Sequence, residues 1–195
     1  MSKSIDFYYD YVSPNSYLAW TQLTKLCAAT GTRLNYKPIL LGGVFKATGN
    51  SSPILVASKA AWLKEDILRH VKYYDVPFAF NPFFPLSTTI IMRGSMWALT
   101  TENIKEYNKV MFEAVWVDQK NMADQNVITE VLESNGFDAK QVIKATEQQV
   151  FKKALIQSTE EAVARGVFGA PTMFIDGQMH FGQDRLDWVK RTIGN

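Results

Sequence analysis

Residues 5–12, IDFYYDYV, alternate roughly between apolar and polar positions and are rich in aromatic and β-branched side chains, so they read as a strand. From Pro14 the period changes: Tyr17, Leu18, Trp20, Leu23, Leu26 and Cys27 recur at helical spacing. Gly31 ends that helix, as a left-handed C-terminal residue would. Residues 33–41, RLNYKPILL, return to a strand pattern, and Pro38 puts this strand near an edge or a bulge. The chain therefore opens β-α-β, with enough length for one right-handed crossover and a parallel strand pair.

The stretch that follows, GGVFKATGNSSP at 42–53, reads as a loop. Beyond it the apolar spacing predicts helices over 57–74, 87–100, 103–116, 125–135 and 139–165, the last with an internal break. The Asn-Pro and Phe-Pro turns of FNPFFPLS separate the first two, and Gly136 stops the fourth. The pattern then reverts to strands at 172–175 and 178–181, joined by an Asp176-Gly177 hairpin turn, with a last helix after Gly182. No internal repeat or low-complexity tract interrupts this order. It is the order of an α/β, thioredoxin-like fold with an inserted all-helical domain. Residues 1–44 and 166–195 would form the discontinuous thioredoxin-like unit, and 45–165 the helical insertion.

Composition narrows the partners more than the fold. The hydrophobic share of 47% is enough for a sizeable core. A net charge of +2, from 21 basic and 19 acidic residues with no basic block, argues against nucleic acid or a membrane surface. A small acidic ligand needs only one local positive site. No apolar run reaches the length of a membrane span, and the first residues lack a charged-then-apolar leader, so a cytoplasmic location is expected. Cys27 is the single cysteine, and His70 and His180 lie far apart, so neither an internal disulfide nor a metal site is expected.

The cysteine count bears directly on Ser13-Pro14-Asn15-Ser16. In a thioredoxin-like redox protein, this strand-to-helix junction is where a Cys-x-x-Cys pair would sit. With no cysteine there, disulfide oxidoreduction is excluded. Ser13 before Pro14 reads as a helix N-cap followed by a first-turn proline. The same helix end presents unpaired N–H groups and a positive dipole end, which favour an anion. The two readings are compatible.

Five segments, FYYDYVSPNSYLA, TGNSSP, ASKAAWLKEDILRH, VFGAPTMFIDG and FGQDRL, occur in an order and spacing that resemble one family from about residue 5 onward. That family comprises the 2-hydroxychromene-2-carboxylate isomerases and the kappa-class glutathione transferases. The resemblance implies a glutathione-dependent enzyme, a homodimer, with a serine in place of the redox cysteine. It makes Ser13 the catalytic residue that stabilises the glutathione thiolate. Pro171 in GAPT would be the cis-proline of the fold, leaving the main-chain N–H and C=O of Ala170 for the cysteinyl part of glutathione. Gln183 and Asp184 would take the γ-glutamyl end, while Asn50 and Lys59 would line the same cleft. Each also has a plainer reading: turn residue for Asn50, solvated helix lysine for Lys59, cap for Asp184, strand-initiating trans-proline for Pro171. Arg185 is expected to hold its loop by a salt bridge.

The second substrate, a small electrophile or aromatic carboxylate, would lie between the two domains, with Phe45, Trp62, Phe83 and Phe84 as candidate walls. Asp10 reads as structural and Cys27 as core. The activity implied is isomerisation of a hydroxychromene carboxylate. The alternatives are conjugation of small electrophiles, or a non-catalytic module that binds glutathione or peptides.

Overall fold

Strand β1 (Ser4–Tyr9) places Ile5, Phe7 and Tyr9 on one face, all without solvent exposure, and so runs through the middle of a sheet. In the computed structural model, which describes residues 3–194, that sheet has four strands in the order β2-β1-β3-β4. Strand β2 (Arg33–Pro38) pairs parallel to β1, and Pro38 sits opposite Tyr9 at the end of this edge strand. Strand β3 (Thr172–Ile175) lies antiparallel on the other side of β1, and β4 (Gln178–Phe181) antiparallel to β3. Asp176 and Gly177 both have positive φ, 50° and 80°, as a two-residue hairpin turn requires.

Helix α1 (Pro14–Thr30) connects β1 to β2 and ends at Gly31, whose φ is 67°. The expected loop at 42–53 is wrong over most of its length. Helix α2 (Leu41–Thr48) occupies it and crosses the 44/45 division expected from sequence. Two glycines near its start give it a poor propensity, so packing must hold it. Val44 is fully buried in a cluster with Tyr8, Ile39, Ala162, Val167 and Phe174. A Cβ on Gly43 would come within 3.2 Å of the Thr159 methyl, so the glycine lets this helix approach its neighbour closely.

The remaining helices between β2 and β3 are α3 (Ala57–Tyr74), α4 (Thr89–Thr100), α5 (Ile104–Trp116), α6 (Gln125–Ser134), α7 (Ala139–Glu147) and α8 (Gln149–Ala164). The expected break in the last stretch falls at Gln148. Asp124 and Asp138 cap α6 and α7, accepting from the N–H groups of Asn126 and Gln141. Helix α9 (Leu186–Gly194) follows the last strand.

An aromatic seam joins the sheet to the inserted helices. Phe112 of α5 packs edge-on against Tyr11 at 4.7 Å and stacks on Trp20 at 5.3 Å. At the end of the same helix, Trp116 stacks on Phe78 and donates its indole N–H to the Tyr11 carbonyl at 2.8 Å. The hydroxyls of Tyr9 and Tyr11 both donate to Asn108 Oδ1, which gives buried phenols a partner inside the seam. This fixes the insertion against the end of β1, where the site lies.

Candidate active site

The site begins where β1 ends. Ser13 has extended backbone angles (φ −90°, ψ 114°) and its Oγ accepts the Ser16 N–H at 3.1 Å, so it is the N-cap of α1. Its hydroxyl hydrogen goes elsewhere, to the carbonyl of Ala170 at 3.0 Å. The Ala170–Pro171 bond is cis. The segment before β3 thus faces the N-terminus of α1, and the residues are 157 positions apart in sequence. The Ala170 carbonyl, expected to be free, is engaged by Ser13.

An open cleft of about 860 Å³ spreads from this point between the sheet and the inserted helices. Of the residues singled out from sequence, Ser13, Asn50 and Ala170 line it, as do Phe45 and Phe84 of the candidate walls. Asn50 bridges the rim: its Nδ2 donates to the Phe168 carbonyl at 2.8 Å and its Oδ1 accepts the Ser51 N–H. Among the described residues that line it, Pro171, Lys59, Gln183 and Asp184 do not appear, and neither do Trp62 or Phe83, which stand 58% and 50% exposed. Lys59 is solvent-exposed in the first turn of α3.

Gln183 and Asp184 form a short turn beyond β4, and the side chain of Gln183 is buried. The Tyr74 hydroxyl at the end of α3 donates to Gln183 Oε1 at 2.7 Å and lies 3.1 Å from its carbonyl oxygen. Arg185 pairs with Asp184 at 2.7 Å, both half-exposed, so the pair orders the turn more than it stabilises the fold. Gly182 has φ 97°, and a Cβ there would meet Asp184 Oδ1 at 2.5 Å, so this turn needs glycine.

Asp10, read as structural from sequence, also lines the cleft, as do apolar residues that were not singled out. Asp10 is buried on the floor, with both carboxylate oxygens occupied. Oδ1 accepts from the Thr88 hydroxyl at 2.6 Å and from the Val12 N–H at 3.1 Å, while Oδ2 accepts from the Leu41 N–H at 2.9 Å. Burial pushes its pKa up, and these three hydrogen bonds oppose that shift. Phe80, Leu86 and Trp116 add apolar wall. Their sequence signal was an apolar run like any other; only the tertiary fold turns these side chains toward the cleft. Cys27 is buried on α1 and its thiol is pushed up to about 11 by burial, so it is no nucleophile at neutral pH.

The DSBA-like thioredoxin domain family matches residues 4–194. A 2-hydroxychromene-2-carboxylate isomerase of Sphingobium xenophagum is 31% identical over 192 residues, with 97% of each chain covered. The chain belongs to the 2-hydroxychromene-2-carboxylate isomerase and kappa-class glutathione transferase family, within the DSBA-like thioredoxin domains. Another relative in this family, glutathione S-transferase kappa 1 of Caenorhabditis elegans, is 30% identical, with 95% of this chain and 88% of the relative covered. A solved 2-hydroxychromene-2-carboxylate isomerase superposes with a TM-score of 0.90 at 30% identity, covering 98% of this chain and 94% of that one. The family fold accounts for helices α3–α8 standing between the strands. Among the described residues no helix is long and apolar enough to cross a membrane, and no cluster of His, Cys, Asp or Glu could hold a metal ion.

Proposed function

We propose that this family member is a glutathione-dependent isomerase acting on 2-hydroxychromene-2-carboxylate or a close analogue. The observation that carries the reading is the position of Ser13, capping α1 while its one hydroxyl hydrogen points across the cleft edge to Ala170. A hydroxyl has one donor and two acceptor sites. Ser13 can keep accepting from Ser16 while its hydrogen turns from a neutral carbonyl to an anion, and the positive end of α1 favours that exchange.

The residues present fit glutathione: an anion-favouring helix end, the main chain of Ala170, the Asn50 rim and a cleft of about 860 Å³. Glutathione, when bound, supplies a thiolate that adds reversibly to the substrate and is released unchanged, so that the substrate isomerises from the hydroxychromene to the trans-benzylidenepyruvate. The protein's part is to hold the sulfur ionised at Ser13, to grip the peptide at Ala170 and Asn50, and to set the turn at Gln183 and Asp184 against its γ-glutamyl end. Pro171 shapes that grip, and Lys59, exposed in the first turn of α3, would have to extend its side chain to reach the peptide. The apolar walls at Phe45, Phe84 and Trp116 keep bulk water away from the reacting carbon. A homodimer in the cytoplasm belongs to the same reading, and sedimentation velocity tests its oligomeric part.

A kappa-type transferase would use the same ionised sulfur and release a conjugate, a reading favoured by the similarity to the nematode transferase. Ultraviolet difference titration of glutathione across pH tests the shared step. Thiolate absorbance should appear about two units below the free thiol value near 8.5, roughly 2.7 kcal/mol of differential stabilisation, and be lost in Ser13→Ala. Binding without ionisation would leave a peptide-binding module; turnover of chromene carboxylate against haloarene then separates isomerase from transferase.

A further inference from the structure

Helix α3 turns Ala60, Leu63, Lys64 and Ile67 toward the cleft. These are the i, i+3, i+4 and i+7 positions of an inward helix face. Three of them are apolar and the fourth is a lysine. Unlike Ile67, which is buried, Lys64 is exposed where this face meets the cleft, so its head keeps water as lysine heads usually do.

Among the described residues Lys64 forms no salt bridge, whereas Arg69 on the same helix pairs with Glu65 and Asp66. The only other charged side chain lining the cleft among the described residues is Asp10, whose two oxygens are already taken by Thr88, Val12 and Leu41. Lys64 Nζ instead lies over the Phe80 ring, 5.7 Å from its centroid. The residue is exposed, so its head remains solvated, ready to exchange water for an anion.

The same cleft holds Phe45, Phe80, Phe84, Leu86 and Trp116. One free cation in a wall of aromatic and aliphatic groups selects a flat apolar molecule with a single negative charge. A dianion leaves one charge unanswered, and a neutral analogue leaves the lysine unanswered. We infer that Lys64 is the specificity-determining residue for the second substrate, pairing with the carboxylate of an aromatic monocarboxylate laid against the Phe80 side of the cleft. The inference rests on the reading that this cleft is the second-substrate site.

Isothermal titration of the full chain with 2-naphthoate and its neutral counterpart 2-naphthamide tests it, using wild type, Lys64→Met and Lys64→Arg. Methionine keeps an unbranched side chain of similar length and removes the charge. Wild type should bind naphthoate at least tenfold more tightly than naphthamide. Lys64→Met should lose that preference while holding naphthamide, and Lys64→Arg should restore it. Equal weakening of both ligands in Lys64→Met, undiminished naphthoate binding there, or no preference in the wild type would each overturn the assignment. Glutathione thiolate absorbance measured on the wild type keeps the two readings apart. Its absence beside an intact naphthoate preference sinks glutathione activation and supports Lys64. Its presence with no naphthoate preference does the reverse.

Discussion

The Thr88 hydroxyl donates to the Asp10 carboxylate across 2.6 Å, tying the start of α4 to the loop that carries Ser13. The Leu41 N–H reaches the same carboxylate at 2.9 Å, so three segments distant in sequence meet on one buried side chain. The Ser13 N–H in turn donates to the Asp10 carbonyl at 3.0 Å. Asp10 is thus a positioning residue for the site. Asp10→Ala strands the Leu41 and Thr88 donors and should cost about 3 kcal/mol in urea unfolding. Unchanged stability would remove Asp10 from this role.

Asp10 and Asp6 should give stability profiles of opposite slope. Burial raises the Asp10 pKa above its ordinary 3.8 and outweighs its hydrogen bonds, so its contribution is present below 3.8 and lost as pH rises through the folded value. Asp6 is the reverse. Burial raises it too, but the hydrogen bonds from Arg165 and Asn35 win and hold it below 3.8. Its contribution is present above 3.8 and lost as pH falls through the folded value. Relative to wild type, Asp10→Asn should therefore gain as pH rises above 3.8, and Asp6→Asn should gain as pH falls below it. Urea unfolding of both variants at stepped pH measures the two slopes.

The environment of Ser13 can be probed without glutathione. Ser13→Cys puts a thiol at the N-terminus of α1, where its pKa should fall below the ordinary value of about 8.5. Cys27 should remain near its buried value of about 11. Thiolate absorbance against pH resolves the two groups, and an introduced thiol that titrates at or above the ordinary value would show that this helix end does not favour anions.

Tyr74→Phe removes the hydroxyl that holds Gln183. The turn at 183–185 should loosen, costing about 1 kcal/mol of stability. If the turn grips the γ-glutamyl end, glutathione affinity should drop by about threefold to tenfold with little change in thiolate pKa. Calorimetric titration separates this from a purely structural effect.

Gly94 and Tyr107 should be coupled. A Cβ on Gly94 would overlap the fully buried Tyr107 hydroxyl, which donates to the Ile91 carbonyl at 3.0 Å, and would come within 2.6 Å of the ring carbon bearing it. Gly94→Ala should destabilise by about 3 kcal/mol. In the Tyr107→Phe background the loss should shrink without vanishing, because the ring carbon still crowds the methyl. A double-mutant cycle reads the difference.

The strand-helix-strand opening, the helix stops at Gly31 and Gly136 and the Asp176-Gly177 hairpin were legible because local chemistry alone specifies them: side-chain periodicity, left-handed glycines and a primed turn. Ser13 was legible for the same reason, since an N-cap before proline is a local signal. Helix α2 was not, because its two glycines argue against helix and only burial of Val44 and contact with Thr159 hold it. Nor could the sequence show that Ser13 faces Ala170, or that Asp10 gathers Thr88 and Leu41, since hydrogen bonds between distant segments leave no periodic trace. Lys64 lies between the two cases. Its i+4 spacing from Ala60 was written in the chain, but that this face of α3 lines a cleft was decided only when the inserted helices closed over the end of β1.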